Sequence, residues 1–479
     1  MNFWKNIILT HRLIIILLIV YFIIHLTNLT LLPPYNDESI YLDWGWFNTH
    51  AQGHLYDSLL DAKQPLMIWL FGFFENFFTD PLFAGRFVSV LIGAITALGV
   101  YKVTQKLFSN KIAFIAAVLY SIIPMFVFYN RQALLEAGVA CIGIWSANAL
   151  LNLLNKPSTK NAVVLGVILG LGFFIKSSSL LFIVSSICIF IFYIIKKRRF
   201  ELVKPFGISI VAIICVDFLL LINPVFWQTF SSNSRYSYTF TEFFTFPLGA
   251  WINHFLGFFE IGFIFVTPFI FVAGITGIFM MRRNKIKDSQ IFILYFIFAL
   301  TLEIFSVKSQ NQRYLVSFLP FLVIPASYII SIIWKGAIWR KSVVIVSFIL
   351  PLSFSLMLIF NPESYILQMS KVSKYSNMEH IRGQMSGYGI KEVMLYIKEH
   401  SIPSQPTLVF FALNAGNPEN AVDVYVQKEP QMYALHIDSR FFPGIEQYQC
   451  LSSKYPAFFV TRYDQRVGMD RFFVLEKSF

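Results

Sequence analysis

About eleven apolar stretches, most near 20 residues long, recur along the 479-residue chain with short basic clusters between them. They fall roughly at 12–32, 82–107, 111–129, 132–154, 161–176, 178–195, 204–222, 254–281, 288–306, 313–334 and 341–361. A helix of about 20 residues matches the ~30 Å hydrocarbon core of a bilayer. Only a structure that satisfies its own backbone hydrogen bonds can stay there. Charge supports the same conclusion: only 13% of residues are charged, against about 25% in a soluble domain. The first stretch is expected to be an uncleaved anchor, because Pro33, Pro34 and an acidic loop follow it in place of a small-residue cleavage site.

The net charge of +12 does not point to nucleic acid, because the excess lies in alternate loops between apolar stretches. One set of loops holds about 19 Lys and Arg, including Lys102, Lys106, Lys111, the run KKRRFELVK at 196–204, and Arg282 to Lys287. The opposite set, before the tail, holds Lys63, Arg131, Lys176, Arg235, Lys308 and Arg313. The positive-inside rule puts the first set and the N-terminus in the cytoplasm, and the tail outside. The expected fold is an all-α polytopic membrane bundle over 1–361, followed by a small extracytoplasmic α/β domain over 362–479.

Two outer loops, 33–81 and 223–253, are long enough to build a site. In the first, NDESIYLDWGWFNTH can form an interfacial helix with Ile40, Trp44 and Phe47 on one face, and PLMIWLFGFFENFF is too short to span. The tail changes composition abruptly and predicts a helix near 389–400 and strands PTLVFFAL, QMYALHI, PAFFVTR and RFFVLEK. Cys141, Cys188 and Cys215 lie in apolar stretches as small core residues, and Cys450 stands alone in the tail, so no disulfide is expected.

Ionisable groups at membrane depth are costly to desolvate, so each one on the outer side is a functional candidate. Asp37 and Glu38 follow the first stretch; helix capping is their second reading. Lys63, in DAKQPL, is a point charge suited to phosphate or a snorkelling anchor. Arg131 and Glu136 flank the turn YNRQALLEAG, Lys176 lies in FFIKSSS, and Lys308, Gln310, Arg313 and Tyr314 lie in VKSQNQRYLVSFLP. The cations can bind a lipid-linked phosphate or anchor headgroups. His50 and His54 have metal-compatible spacing, but Gly53 breaks the helix between them, so no metal ligand is expected there. No D-x-D, Cys/His cluster or phosphate loop occurs, and no cofactor is expected.

In this order, the acidic pair, the Lys-x-Pro-Leu segment, the Arg-x-x-x-Leu-acid turn and the late Lys…Arg-Tyr…Pro entry resemble a known family. It is the GT-C glycosyltransferases of the protein O-mannosyltransferase and lipid A aminoarabinose transferase group, over about residues 1–335. The resemblance implies that Asp37 is the catalytic acidic residue, with Glu38 its partner. It implies that Lys63 faces the donor phosphate and that Glu136 stands where Asp is more common. Gln64 stands where Pro is common. Arg131, Lys308, Arg313 and Tyr314 complete the expected phosphate grip.

The implied reaction moves a sugar from a polyprenyl-phosphate donor to a hydroxyl or amine of a protein, lipid or glycan. Cations stabilise the leaving phosphate, Asp37 accepts a proton, and a single displacement inverts the anomeric centre. A lipid flippase or transporter is the alternative, but such folds show internal repeats and mid-membrane charges. Here only Asp217 and Glu303 sit well inside apolar stretches.

Overall fold

The computed structural model describes residues 2–230, 234–383, 385–412, 419–437, 456–462 and 472–476. Helix α1 (Asn2–Leu26) leads into α2 (Asn36–His50) and α3 (Leu66–Glu75), which cross on one face of the bundle. They cross at Gly45 and Gly72, where a Cβ on either would overlap the other's backbone. Helix α2 is packed rather than laid on a surface: Tyr41, Leu42, Gly45 and Asn48 are buried, while Ile40, Trp44 and Phe47 are half-buried.

The bundle continues with α4 (Pro81–Leu107), α5 (Asn110–Ile122), α6 (Pro124–Tyr129), α7 (Glu136–Asn155), α8 (Thr159–Ile175), α9 (Leu180–Ile191) and α10 (Val203–Leu221). Asp80 caps α4, accepting from the Leu82 and Phe83 amides with Pro81 in the first turn; Ser109 and Ser158 cap α5 and α8. Next come α11 (Pro224–Phe230), α12 (Phe240–Phe243), α13 (Leu248–Phe265), α14 (Pro268–Arg283), α15 (Ser289–Ser306), α16 (Gln312–Leu315), α17 (Pro320–Ile333), α18 (Ile338–Phe360) and α19 (Pro362–Ser370).

Three apolar stretches are divided where the sequence alone reads as continuous. Pro124 breaks 111–129, and 313–334 begins with the separate short helix α16. The stretch 254–281 bends at Thr267 (φ +80°) and Pro268, so sharply that Phe271 packs back against Gly262. Among the described residues, seven helices are long and apolar enough to cross a membrane, and five shorter apolar helices accompany them. The chain is an integral membrane protein. The basic loops meet at the end opposite α2. There Lys106 bonds Asn148 and Asn152, Asn155 bonds Asp288, and Arg199 bonds the Leu154 carbonyl.

After α19 the chain forms α20 (Ile390–His400), β1 (Thr407–Ala412), α21 (Glu419–Gln427), β2 (Met432–Ile437), β3 (Ala457–Arg462) and β4 (Phe472–Glu476). The sheet order is β2-β1-β3-β4, with β1 parallel to both neighbours and β4 antiparallel. Ile390, Val393 and Ile397 of α20 and Val422 and Val426 of α21 pack with Val409 and Phe411 of β1. Alternation along β1 sends Leu408 and Phe410 to the other face. The helix and all four strands lie where the composition predicts them; Cys450 lies outside the described residues.

The sheet domain is fastened to the bundle through α21 and α20. Asn420 donates to Asp43 at 2.9 Å, Tyr425 to Asp80 at 3.2 Å, and Lys391 pairs with Asp80 at 3.2 Å. Lys428 covers the Trp46 ring at 4.7 Å.

Candidate active site

The loop from α1 to α2 is built around a buried ion pair. Arg86, inside α4, and Glu38 are both 0% exposed. Arg86 Nε donates to Glu38 Oε1 at 2.8 Å and Nη2 to Oε2 at 2.7 Å. Its remaining protons reach the carbonyls of Leu29, Leu32 and Pro33 at 2.8–3.1 Å. Glu38 also accepts from the amides of Ala133 (2.7 Å) and Tyr35 (3.0 Å), closing a capping box at the start of α2. Both oxygens are committed, so Glu38 positions the loop and has no lone pair turned to a substrate.

One residue earlier, Asp37 faces the opposite way. Its Oδ2 accepts from Arg313 Nη1 at 2.5 Å. Arg313 Nε donates at 2.6 Å to Glu136 Oε1, which also accepts from Lys176 Nζ at 2.6 Å. Four segments thus converge: the start of α2, the start of α7, the turn after α8, and α16. Asp37, Arg313 and Lys176 keep about a fifth of their side-chain surface exposed, while Glu136 is buried. Tyr41 lies within hydrogen-bonding reach of the guanidinium. Burial alone would raise the Asp37 carboxyl; Arg313, and behind it Lys63, outweigh this and hold it below the ordinary aspartate value. Burial likewise opposes the Arg313 charge, but Glu136 and Asp37 keep it protonated.

Lys63 follows Ala62, whose positive φ of +57° turns the chain toward the site, and its ammonium lies 5.1 Å from the centre of the Tyr236 ring. Gln64 binds this loop to the Lys176 turn, its Oε1 accepting from the Ser177 amide at 2.9 Å. Tyr314 lies with its ring centre 5.8 Å from Lys176 Nζ.

Two expected members stand elsewhere. Arg131 caps the C-terminus of α1, donating to the carbonyls of Ile24, His25, Thr27 and Asn28 at 2.7–3.1 Å, and does not pair with Glu136. Lys308 pairs with Glu242 at 2.8 Å, and its amide bonds the Tyr236 carbonyl. It therefore reaches the site only through the loop that holds Tyr236 over Lys63. His50 stacks on Trp46 and His54 pairs with Asp57. Asp217 and Glu303 are buried in α10 and α15.

Several residues escaped the sequence reading. Arg86 hides inside an apolar stretch, although an arginine five residues into such a stretch is itself a signal. Tyr35 and His380 carried none. The His380 ring stacks on Tyr35 at 4.0 Å, and burial, with Arg313 adding, pushes its pKa down to about 3. Among the described residues no group of three or more His, Cys, Asp or Glu is placed to hold a metal.

Residues 62–221 match the family described as dolichyl-phosphate-mannose-protein mannosyltransferase. No curated protein matches the sequence significantly. Among solved structures, ArnT from Cupriavidus metallidurans bound to undecaprenyl phosphate is similar at a TM-score of 0.58 and 13% identity, over 98% of this chain and 97% of that one. The oligosaccharyltransferase AglB from Archaeoglobus fulgidus, in complex with an inhibitory peptide and a dolichol-phosphate, is similar at a TM-score of 0.53 and 12% identity, over 97% of this chain and 70% of that one. The fold is the GT-C fold, with a small sheet domain after the bundle.

Proposed function

We propose that this protein is a membrane glycosyltransferase that takes a sugar from a polyprenyl-phosphate donor at the extracytoplasmic face. The observation that carries this reading is Arg313, held between Asp37 and Glu136 with Lys176 and Lys63 beside it. Three cations gather here at a semi-exposed point in an otherwise apolar protein. Such a point suits a phosphate whose lipid tail stays in the bilayer. The matched family and the two GT-C structures, one with undecaprenyl phosphate and one with dolichol-phosphate, support the same donor class.

In the reaction, an acceptor oxygen or nitrogen attacks the anomeric carbon while the bond to phosphate breaks. Negative charge then builds on the leaving phosphate, where Arg313, Lys176 and Lys63 stabilise it without a general acid. Asp37 and Glu136 fix the guanidinium from two sides, so its donors are aimed before the donor arrives. A single displacement inverts the anomeric centre. The face opposite the basic loops is the extracytoplasmic one.

The test is turnover. Purified protein is incubated with undecaprenyl-phosphate-linked mannose, glucose and aminoarabinose, and loss of sugar from the carrier is followed in wild type, Asp37→Asn, Lys63→Ala and Arg313→Ala. Arg313→Ala should lower kcat/KM by about 10²-fold or more, the scale of losing one charge-stabilising donor. Equal turnover in wild type and all three variants would end the reading.

A further inference from the structure

Asp37 and Arg313 meet across 276 residues of chain, and local structure holds neither firmly. Arg313 rides on α16, a helix of four residues, and a single turn is not stable by itself. Asp37 lies in the first turn of α2, directly behind the irregular loop that ends at Tyr35.

The segment that follows α19 grips both sides. At one end Gln312, buried beside Arg313, donates through Nε2 to the Tyr375 carbonyl. Tyr375 is fixed in turn: its amide donates to Ser373 Oγ at 3.1 Å, and the Ser373 hydroxyl donates to Glu260 of α13 at 2.7 Å. At the other end the Asn36 amide donates to the Met385 carbonyl at 3.0 Å, and the Gly387 amide to the Pro34 carbonyl at 3.0 Å. Tyr35 and Ser386 pair between them in an antiparallel bridge. The segment lies flush on this loop, since a Cβ on Gly387 would strike the Pro34 carbonyl. Between the two ends Tyr129 Oη donates to Asn377 at 3.3 Å, and the His380 ring stacks on Tyr35 and meets Phe128 edge-on at 4.9 Å. The Ser386 hydroxyl returns to the His380 carbonyl at 3.2 Å, joining the middle to the far end.

We propose that residues 375–383 and 385–387 form a positioning strap that sets Asp37 and Arg313 relative to one another, with Gln312 as its grip on Arg313. The inference rests on the transferase function proposed above. Asp37 and Glu136 hold the guanidinium by its protons, but they do not fix the backbone from which it projects. The strap fixes that backbone from the residue before Arg313, and the α2 backbone from the residue before Asp37. The guanidinium is thus placed against Lys176 and Lys63 before the donor binds, which removes that ordering cost from the reaction. Packing alone would be served by Leu or Met at 312; a buried amide is costly unless its protons have a partner, and here the partner is the strap.

The experiment uses the full-length protein and the variants Gln312→Ala, Gly387→Ala and their double, each checked by melting temperature. Turnover is followed with the three carrier-linked sugars above, and affinity is measured for undecaprenyl phosphate and undecaprenol. Each single variant should lower kcat by about 10- to 100-fold, the scale of a misplacement near 1 Å. The double should fall by less than the product of the two, because both release the same pair. The preference for undecaprenyl phosphate over undecaprenol should drop about 3- to 10-fold in Gln312→Ala, the worth of one hydrogen bond, with undecaprenol affinity unchanged. In an Arg313→Ala background Gln312→Ala should alter that preference no further. If either single variant fails to fold, Tyr129→Phe, which removes only the hydroxyl on Asn377, takes its place with the same expected direction. Folded variants with wild-type kcat and phosphate preference overturn the strap alone. So does an equal loss of affinity for both lipids, or a Gln312→Ala effect that persists undiminished without Arg313, since either marks a general packing defect. A wild type that consumes none of the three donors overturns the transferase reading, while the two lipid affinities still decide whether the strap places Arg313.

Discussion

Replacing Arg86 by Leu should destabilise the protein far more than it alters the chemistry. The substitution leaves Glu38 buried and unpaired, and strips donors from the carbonyls of Leu29, Leu32 and Pro33. Breaking a buried ion pair from one side costs about 3–5 kcal/mol. Each stranded carbonyl adds about 1 kcal/mol where water cannot reach it. A loss of about 4 kcal/mol or more is therefore expected. Glu38→Leu should cost a similar amount, because Arg86 then sits charged among three carbonyls and the Ala133 and Tyr35 amides lose their acceptor. The double replacement removes both charges together and should cost less than the sum, with a coupling of about 1–3 kcal/mol. Unfolding in mixed micelles, measured for all four proteins of the cycle, reads these numbers directly. The decisive companion is Glu38→Gln, which should lower stability yet keep most of the turnover per folded molecule. Additive single-site costs, or a Glu38→Gln protein of wild-type stability with no activity, would refute a positioning role for Glu38.

Arg131→Ala should remove the α1 cap and cost about 1–3 kcal/mol in the same assay, with undecaprenyl-phosphate affinity unchanged. Gln64→Ala frees the Lys63 loop from the Ser177 amide and should raise the donor KM by about 3- to 10-fold, with a stability loss of about 1 kcal/mol from the stranded amide, well below that of Arg86→Leu. The docking of α21 on α2 should weaken as pH rises. Burial, with Asp423 adding, raises Asp43 to about 7, so between pH 4 and 7 the docked form holds a proton that the free form has lost. Docking is thus favoured on the acid side and loses support up to about pH 7; His436, raised by its bond to Asp423, acts in the same direction. Protection factors across α21, taken relative to the intrinsic exchange rate at each pH, should fall over that range in wild type and stay flat in Asp43→Asn.

The sequence made the architecture legible because apolar length and loop charge are local signals. The four tail strands were equally legible, as β-rich runs between turn residues. The sharp bend at Thr267 was not, because an apolar stretch reads the same on either side of a proline that starts a second helix. For the site, the residue types were visible but their partners were not. Asp37 and Glu38 are neighbours in sequence, yet α2 turns one toward Arg313 and the other toward Arg86. Arg131 and Lys308 shared the sidedness of Lys63 and Arg313, but sidedness does not say whether a cation faces a substrate or a helix end.

The phosphate grip itself can be tested by comparing undecaprenyl phosphate with undecaprenol as ligands of the detergent-solubilised protein. If Arg313, Lys176 and Lys63 bind the phosphate, wild type should prefer the phosphate by about 10- to 100-fold, the worth of one or more charge-assisted hydrogen bonds. Arg313→Ala should lose most of that preference while binding undecaprenol as wild type does. Equal affinity for the two lipids, or a preference that survives in Arg313→Ala, would contradict it.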